Sequence, residues 1–105
     1  MSSNKITLYY ADWCGHCKNF KPVWDGLKQV FNANNIKHEE YEESKDEEVM
    51  LRDNIEAYPT IMIENESGKY QYNGGRDADS LLREFFTMQN GGSKNKKFKI
   101  QYSSI

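Results

Sequence analysis

Two cysteines three positions apart, Cys14 and Cys17, are the only ones in this 105-residue chain, and their flanks fix their setting. Before them runs Ile6-Thr7-Leu8-Tyr9-Tyr10. After them Phe20, Val23, Trp24, Leu27, Val30 and Phe31 recur at three- and four-residue spacing. The first pattern reads as a buried strand over residues 5–11, the second as an amphipathic helix from about Cys14 to Ala33. Between them, Asp12-Trp13-Cys14-Gly15-His16-Cys17-Lys18 makes a tight turn, with Cys14 near the helix start and Cys17 one turn on. Free backbone N–H groups and the helix dipole at such a terminus favour thiolate over thiol. The spacing therefore points to a reactive dithiol.

Two other readings use the same cysteines. A closed zinc site needs about four ligands, and Cys14, Cys17, His16 and His38 are the whole soft-ligand supply. With His16 held between the cysteines, no resident metal is expected. Inert core cysteines are the other reading. A chain of this length is one domain. It carries no apolar stretch of membrane-spanning length and no apolar leader in Met-Ser-Ser-Asn-Lys, so neither a membrane nor a secretory route is expected. Two cysteines in that context suit a reducing compartment.

Charge is unevenly placed. Residues 39–48 hold seven acidic groups, whereas the stretch from Gly91 holds Lys94, Lys96, Lys97 and Lys99 and no acid. These read as a solvated acidic face and a basic tail. Four lysines around Phe98, Ile100 and Tyr102 match no nucleic-acid-binding motif, so a nucleic-acid partner is not expected.

Further along, Pro22 predicts a kink in the first helix rather than its end. Asn32, Asn34 and Asn35 mark the stop, and Ile36 to Tyr41 reads as a second strand. Ser44 and Glu47 form a capping-box pattern for a helix over Lys45–Asn54. Thr60 to Glu64 and Tyr70 to Asn73, separated by Glu66-Ser67-Gly68-Lys69, predict an antiparallel hairpin. Gly74-Gly75 allows close backbone approach or a positive φ. Asp77 with Ser80, or Asp79, caps a last helix with apolar Ala78, Leu81, Leu82, Phe85, Phe86 and Met88. The order is βαβαββα, an α/β domain over residues 1–90 with a mixed four-stranded sheet flanked by helices. Gly91-Gly92-Ser93 then links to a tail, 91–105, in which Lys97 to Tyr102 alternates as an added edge strand would.

Trp13-Cys14-Gly15-His16-Cys17-Lys18, followed some forty residues later by Tyr58-Pro59-Thr60, resembles the thioredoxin fold with an active-site motif of the protein disulfide isomerase type. Pro22 matches that family's first-helix proline, and Tyr72-Asn73-Gly74-Gly75-Arg76 resembles the segment before its last helix. The chain departs from the family twice. Leu8 stands where a buried acid usually helps deprotonate the second thiol, so a proton leaving Cys17 must use water, Lys18 or a substrate group. The usual first strand and helix have no room before residue 13. The shortened domain is similar to small thioredoxin-like proteins of large DNA viruses, which implies a cytoplasmic or virion-associated setting.

The resemblance implies a role for each residue. Cys14 is the nucleophile and Cys17 resolves the mixed disulfide. Protonated His16 stabilises the Cys14 thiolate and makes the oxidised form a stronger oxidant. Gly15 keeps the turn tight and Cys14 accessible, while Lys18 balances charge or faces solvent. Trp13 forms a shoulder for substrate. Pro59 is cis across a groove, offering the Tyr58 backbone to an extended polypeptide. Arg76 is a tether for an acidic group such as a glutathione carboxylate, or a surface charge. The implied activity is thiol–disulfide exchange on protein disulfides, without a cofactor beyond the dithiol, served by a thiol reductase or oxidase. A glutathione-dependent glutaredoxin-like reductase and a non-catalytic redox-sensing or binding protein are the alternatives.

Overall fold

The computed structural model describes residues 4–89, with side chains through residue 84. Its elements are β1 (Lys5–Tyr10), α1 (Gly15–Ala33), β2 (Lys37–Glu42), α2 (Glu47–Arg52), β3 (Thr60–Asn65), β4 (Gly68–Gln71) and α3 (Ala78–Gln89). The expected order βαβαββα is met. The strands form one mixed sheet in the order β2-β1-β3-β4. β1 runs parallel to β2 and antiparallel to β3, and β4 completes the hairpin. The expected linker at 91–93 and edge strand at 97–102 lie outside the described residues, as do the side chains of Phe85, Phe86 and Met88.

β1 is the centre of the molecule because both its faces are covered. Ile6, Thr7, Leu8 and Tyr9 are all buried. Ile6 and Leu8 join Ile61 and Ile63, which lie opposite them on β3, in one core with Phe20, Trp24, Leu27, Phe31, Leu81 and Leu82. The stripe Phe20-Trp24-Leu27-Phe31 is the face a 3.6-residue period presents, and its burial holds α1 on the sheet. On the other face Tyr9 donates from its hydroxyl to Asp53 at 2.7 Å, just past α2. α1 continues through Pro22.

Both asparagine-rich helix ends close in the same way. At α1, Asn35 takes φ 58°, Asn35 N–H donates to Asn32 O and Ile36 N–H to Phe31 O at 2.9 Å. At α2, Asn54 takes φ 58°, and Ile55 N–H returns to Met50 O, also at 2.9 Å. Asparagine tolerates this left-handed conformation, which satisfies carbonyls the helix leaves open. Because Ile36 is spent on that closure, β2 begins one residue later than expected.

Two expectations need correction. Ser44 does not cap α2: its hydroxyl donates to Glu42 Oε1 at 2.6 Å. The helix starts after Asp46, whose side chain makes no capping bond to it and instead accepts Glu42 N–H at 3.0 Å. Buried Glu42 is a stronger acceptor than the helix end offers Ser44, since it is ionised and already fixed by Asp12, Ser44 and Lys45 N–H groups. β4 also sits two residues early. Asn65 pairs with Gly68 across Glu66-Ser67, and Gly68 takes φ 138°, which glycine adopts without penalty. At α3 the expected Asp77 cap is present, accepting Ser80 N–H at 3.0 Å. No helix among the described residues is long and apolar enough to cross a membrane.

Candidate active site

The end of β1 delivers the dithiol. Cys14 N–H bonds to Ala11 O at 3.1 Å, closing the turn. Cys14, with φ −87° and ψ 122°, then stands as the N-cap of α1. Its Sγ takes the place of a serine or aspartate oxygen and accepts Cys17 N–H at 3.4 Å. Cys17 lies one turn along on the buried face of α1. Both thiols are free, with Cys14 8% and Cys17 2% exposed. Cys14 is thus the more open of the two by a small margin, in the cleft beside the Tyr58 carbonyl.

Their acidities are pushed apart. Burial works against ionising Cys14. A hydrogen bond from the Cys17 thiol, the backbone N–H groups of Cys17 and His16, and the Arg76 charge outweigh it and hold Cys14 below the ordinary thiol range. Burial and the neighbouring Cys14 push Cys17 up to about 11, against an Ala11 backbone bond and Arg76. One sulfur is prepared as the thiolate, the other held as the thiol that stabilises it.

The second wall of the cleft comes from the start of β3. The β1–β3 register pairs Tyr9 with Thr60, which sets the preceding Tyr58-Pro59 peptide beside the turn. That peptide is cis, and Thr60 Oγ1 pins the loop by donating to Ala57 O at 2.7 Å. The Cys14 thiol donates to Tyr58 O at 3.5 Å. Pro59 is buried, while Trp13 is 68% exposed. The Trp13 ring meets Tyr58 edge-on with centroids 6.0 Å apart, and its Nε1–H donates to Glu43 Oε1 at 3.1 Å.

The other expected residues are less uniform. His16 is exposed, and its shown contribution is the backbone N–H toward Cys14. Gly15 is the first residue of α1, and a Cβ there would meet nothing within 4 Å, so the turn itself does not demand glycine. Lys18 lines an open groove with Tyr10, Ala11, Asp12, Cys17 and Lys21, which places it on the Cys17 side. Leu8 is fully buried, so β1 supplies no acid there, and among the residues lining this groove with Cys17 are the charged Asp12, Lys18 and Lys21. Arg76 lines a cavity of about 110 Å³ with Pro59, Ile61 and Tyr72, and its charge is felt at both sulfurs.

Glu42 and Glu43 were absent from the expected site. Buried Glu42 accepts Asp12 N–H at 3.0 Å and so ties the motif loop to the end of β2. Their acidic run reads as surface until the parallel register pairing Tyr10 with Glu42 is known. That register is the signal that brings them to the dithiol.

Known proteins place this geometry. A probable protein disulfide-isomerase A4 of Caenorhabditis elegans is 27% identical over 105 residues, covering 96% of this chain and 17% of its own. A protein disulfide-isomerase of Schizosaccharomyces pombe is 32% identical over 95 residues, covering 88% and 26%. The chain spans between 17% and 34% of the length of such curated relatives. Among solved structures, the Trx4 domain of ERdj5 superposes with a TM-score of 0.72 at 21% identity, over 85% of this chain and 82% of that one. The first thioredoxin domain of mouse protein disulfide-isomerase A4 gives 0.68 at 19%, over 92% and 69%. Residues 2–87 match the thioredoxin family profile, and the chain belongs to that family.

Proposed function

We propose that this protein is a thiol–disulfide oxidoreductase acting on protein disulfides through the Cys14–Cys17 couple. The observation that carries the reading is the setting of Cys14 Sγ. It receives Cys17 N–H at 3.4 Å from the start of α1 and lies 3.5 Å from Tyr58 O across the cleft. In reduction, the Cys14 thiolate attacks one sulfur of a substrate disulfide and the other leaves as a thiolate. Cys17 then loses its proton through the groove beside it and attacks Cys14 Sγ. The Cys14–Cys17 bond forms, the Cys14–substrate bond breaks, and the second substrate sulfur departs with its electron pair, to be protonated. Oxidation of substrate dithiols is the same sequence reversed.

In this reading Trp13 and the Tyr58-Pro59 peptide hold an extended polypeptide, and the Tyr58 carbonyl, 3.5 Å from Cys14 Sγ, is the backbone acceptor it meets. Protonated His16 raises the reduction potential by favouring the dithiol form. The dithiol is the only redox group required. Its partners are protein thiols and disulfides and a thiol reductase or oxidase that resets it, in a cytoplasmic or virion-associated setting. Arg76, near both sulfurs and Pro59, makes glutathione the second substrate to test, bound by a carboxylate.

The test is turnover. The wild-type chain should form the Cys14–Cys17 disulfide reversibly and reduce a protein disulfide with a chemical dithiol as donor. Cys14→Ser should abolish turnover, and Cys17→Ser should trap substrate on Cys14. A wild-type protein with an unreactive Cys14 at neutral pH would overturn the reading. Faster resolution of glutathione than of protein mixed disulfides would move it to the glutaredoxin-like class.

A further inference from the structure

Trp13 is open to solvent yet held in place. Its Nε1 edge is tied to Glu43 at 3.1 Å and its ring braced edge-on by Tyr58. Fixing an exposed side chain costs conformational entropy, so two anchors on one indole beside the nucleophile make a prearranged surface. Glu43 is fixed as well, since its own N–H donates to Tyr10 O at 2.8 Å, at the end of β1.

The charge of Glu43 sets it apart from its neighbours. Glu39 pairs with Lys5, and Glu40 with Lys21 and Lys28. Glu42 is buried under backbone N–H groups. Glu43 is half-buried, has no ion pair among the described residues, and spends one carboxylate oxygen on the indole. Its charge reaches the cleft: together with burial and Glu42 it disfavours ionisation of the Tyr58 phenol. An unneutralised carboxylate joined to an open aromatic ring complements a cation, through charge and through the ring face.

We propose that Trp13 and Glu43 together receive a lysine or arginine side chain next to the reacting cysteine of a polypeptide substrate, making Glu43 a specificity-determining residue. The proposal rests on the oxidoreductase reading above. Each contact at such an exposed site is worth a factor of about two to five in binding. Attraction of a cation and repulsion of an anion together give about tenfold discrimination.

The test uses three peptides, each closed by one disulfide and identical but for Lys, Gln or Glu beside the cysteine. Their kcat/KM values are compared at low ionic strength with a chemical dithiol as donor. The Lys:Glu ratio should be about ten for the wild type and should fall several-fold in high salt. It should approach one in Glu43→Gln, which keeps a carbonyl acceptor for Trp13 and removes only the charge, and should invert in Glu43→Lys. Because each ratio is taken within one protein, a general loss of activity does not affect it. If the wild type fails to turn over the Gln peptide, the oxidoreductase reading falls and the proposal with it. If the Gln peptide is turned over but the Lys:Glu ratio is near one, or is unchanged in Glu43→Gln, only the proposal falls.

Discussion

Gly74 offers a test in which one added methyl reaches from packing to the dithiol. A Cβ at this position would lie 2.5 Å from Tyr72 Oη and 2.7 Å from Cζ, closer than real side chains approach. The obstacle cannot easily swing away. Tyr72 is 8% exposed, belongs to the main core, and donates its hydroxyl to Gly75 O at 2.7 Å. In Gly74→Ala the ring must shift, losing a hydrogen bond of about 1 kcal/mol and part of an aromatic burial of about 1.5–3 kcal/mol. The expected destabilisation is about 2–4 kcal/mol, read from the midpoint of urea unfolding with an unchanged slope. The functional consequence follows from place. Gly74, Tyr72, Pro59 and Arg76 line one cavity, so the displaced ring is expected to disturb Arg76, whose charge favours both thiolates. Cys14 alkylation should then show a higher pH midpoint than in the wild type. A Gly74→Ala protein within about 0.5 kcal/mol of the wild type, with its Cys14 profile unmoved, would refute the reasoning.

Other outcomes follow from the same contacts. Arg76→Gln should shift the Cys14 alkylation profile to higher pH, because the positive charge that favours both thiolates is removed; an unmoved profile would count against Arg76. His16→Pro should give a lower reduction potential by equilibrium with a dithiol redox buffer, and an equal or higher potential would contradict the role assigned to His16. Asp53 is held down at about 2 by Arg52, helped by the Tyr9 hydroxyl and opposed by burial. A carboxyl depressed on folding contributes stability that is full above its unfolded value near 4 and lost as pH falls toward about 2. Acid titration of unfolding should show this loss, and Asp53→Asn should flatten that part of the curve.

The parts of the fold that were legible depend on near neighbours in sequence. The α1 stripe, the dithiol at its start and the asparagine stops are local patterns, and each appears as expected. The parts that were not legible depend on register. Nothing within residues 39–48 announces that Glu42 turns inward to collect N–H groups from Asp12, Ser44 and Lys45, or that Glu43 meets Trp13 thirty positions earlier. Ser44 followed by Glu47 has the spacing of a cap, but spacing cannot reveal a buried carboxylate competing for the same hydroxyl. The hairpin was readable as a hairpin, yet Gly68 with φ 138° closes the turn at Glu66-Ser67, so β4 begins two residues earlier than composition suggested. Pro59 illustrates the middle case. Its place in the motif came from the resemblance, whereas the approach of the preceding Tyr58 carbonyl to Cys14 depends on the pairing of Tyr9 with Thr60.

The most direct measurement is the pH dependence of alkylation at each cysteine of the reduced wild-type protein, with modified sites assigned by mass spectrometry. Cys14 should react first, with a midpoint below the ordinary thiol range, while Cys17 stays protonated until about pH 11. A Cys14 midpoint at or above the ordinary value, or a Cys17 that ionises before it, would contradict the division of labour on which the proposed exchange depends.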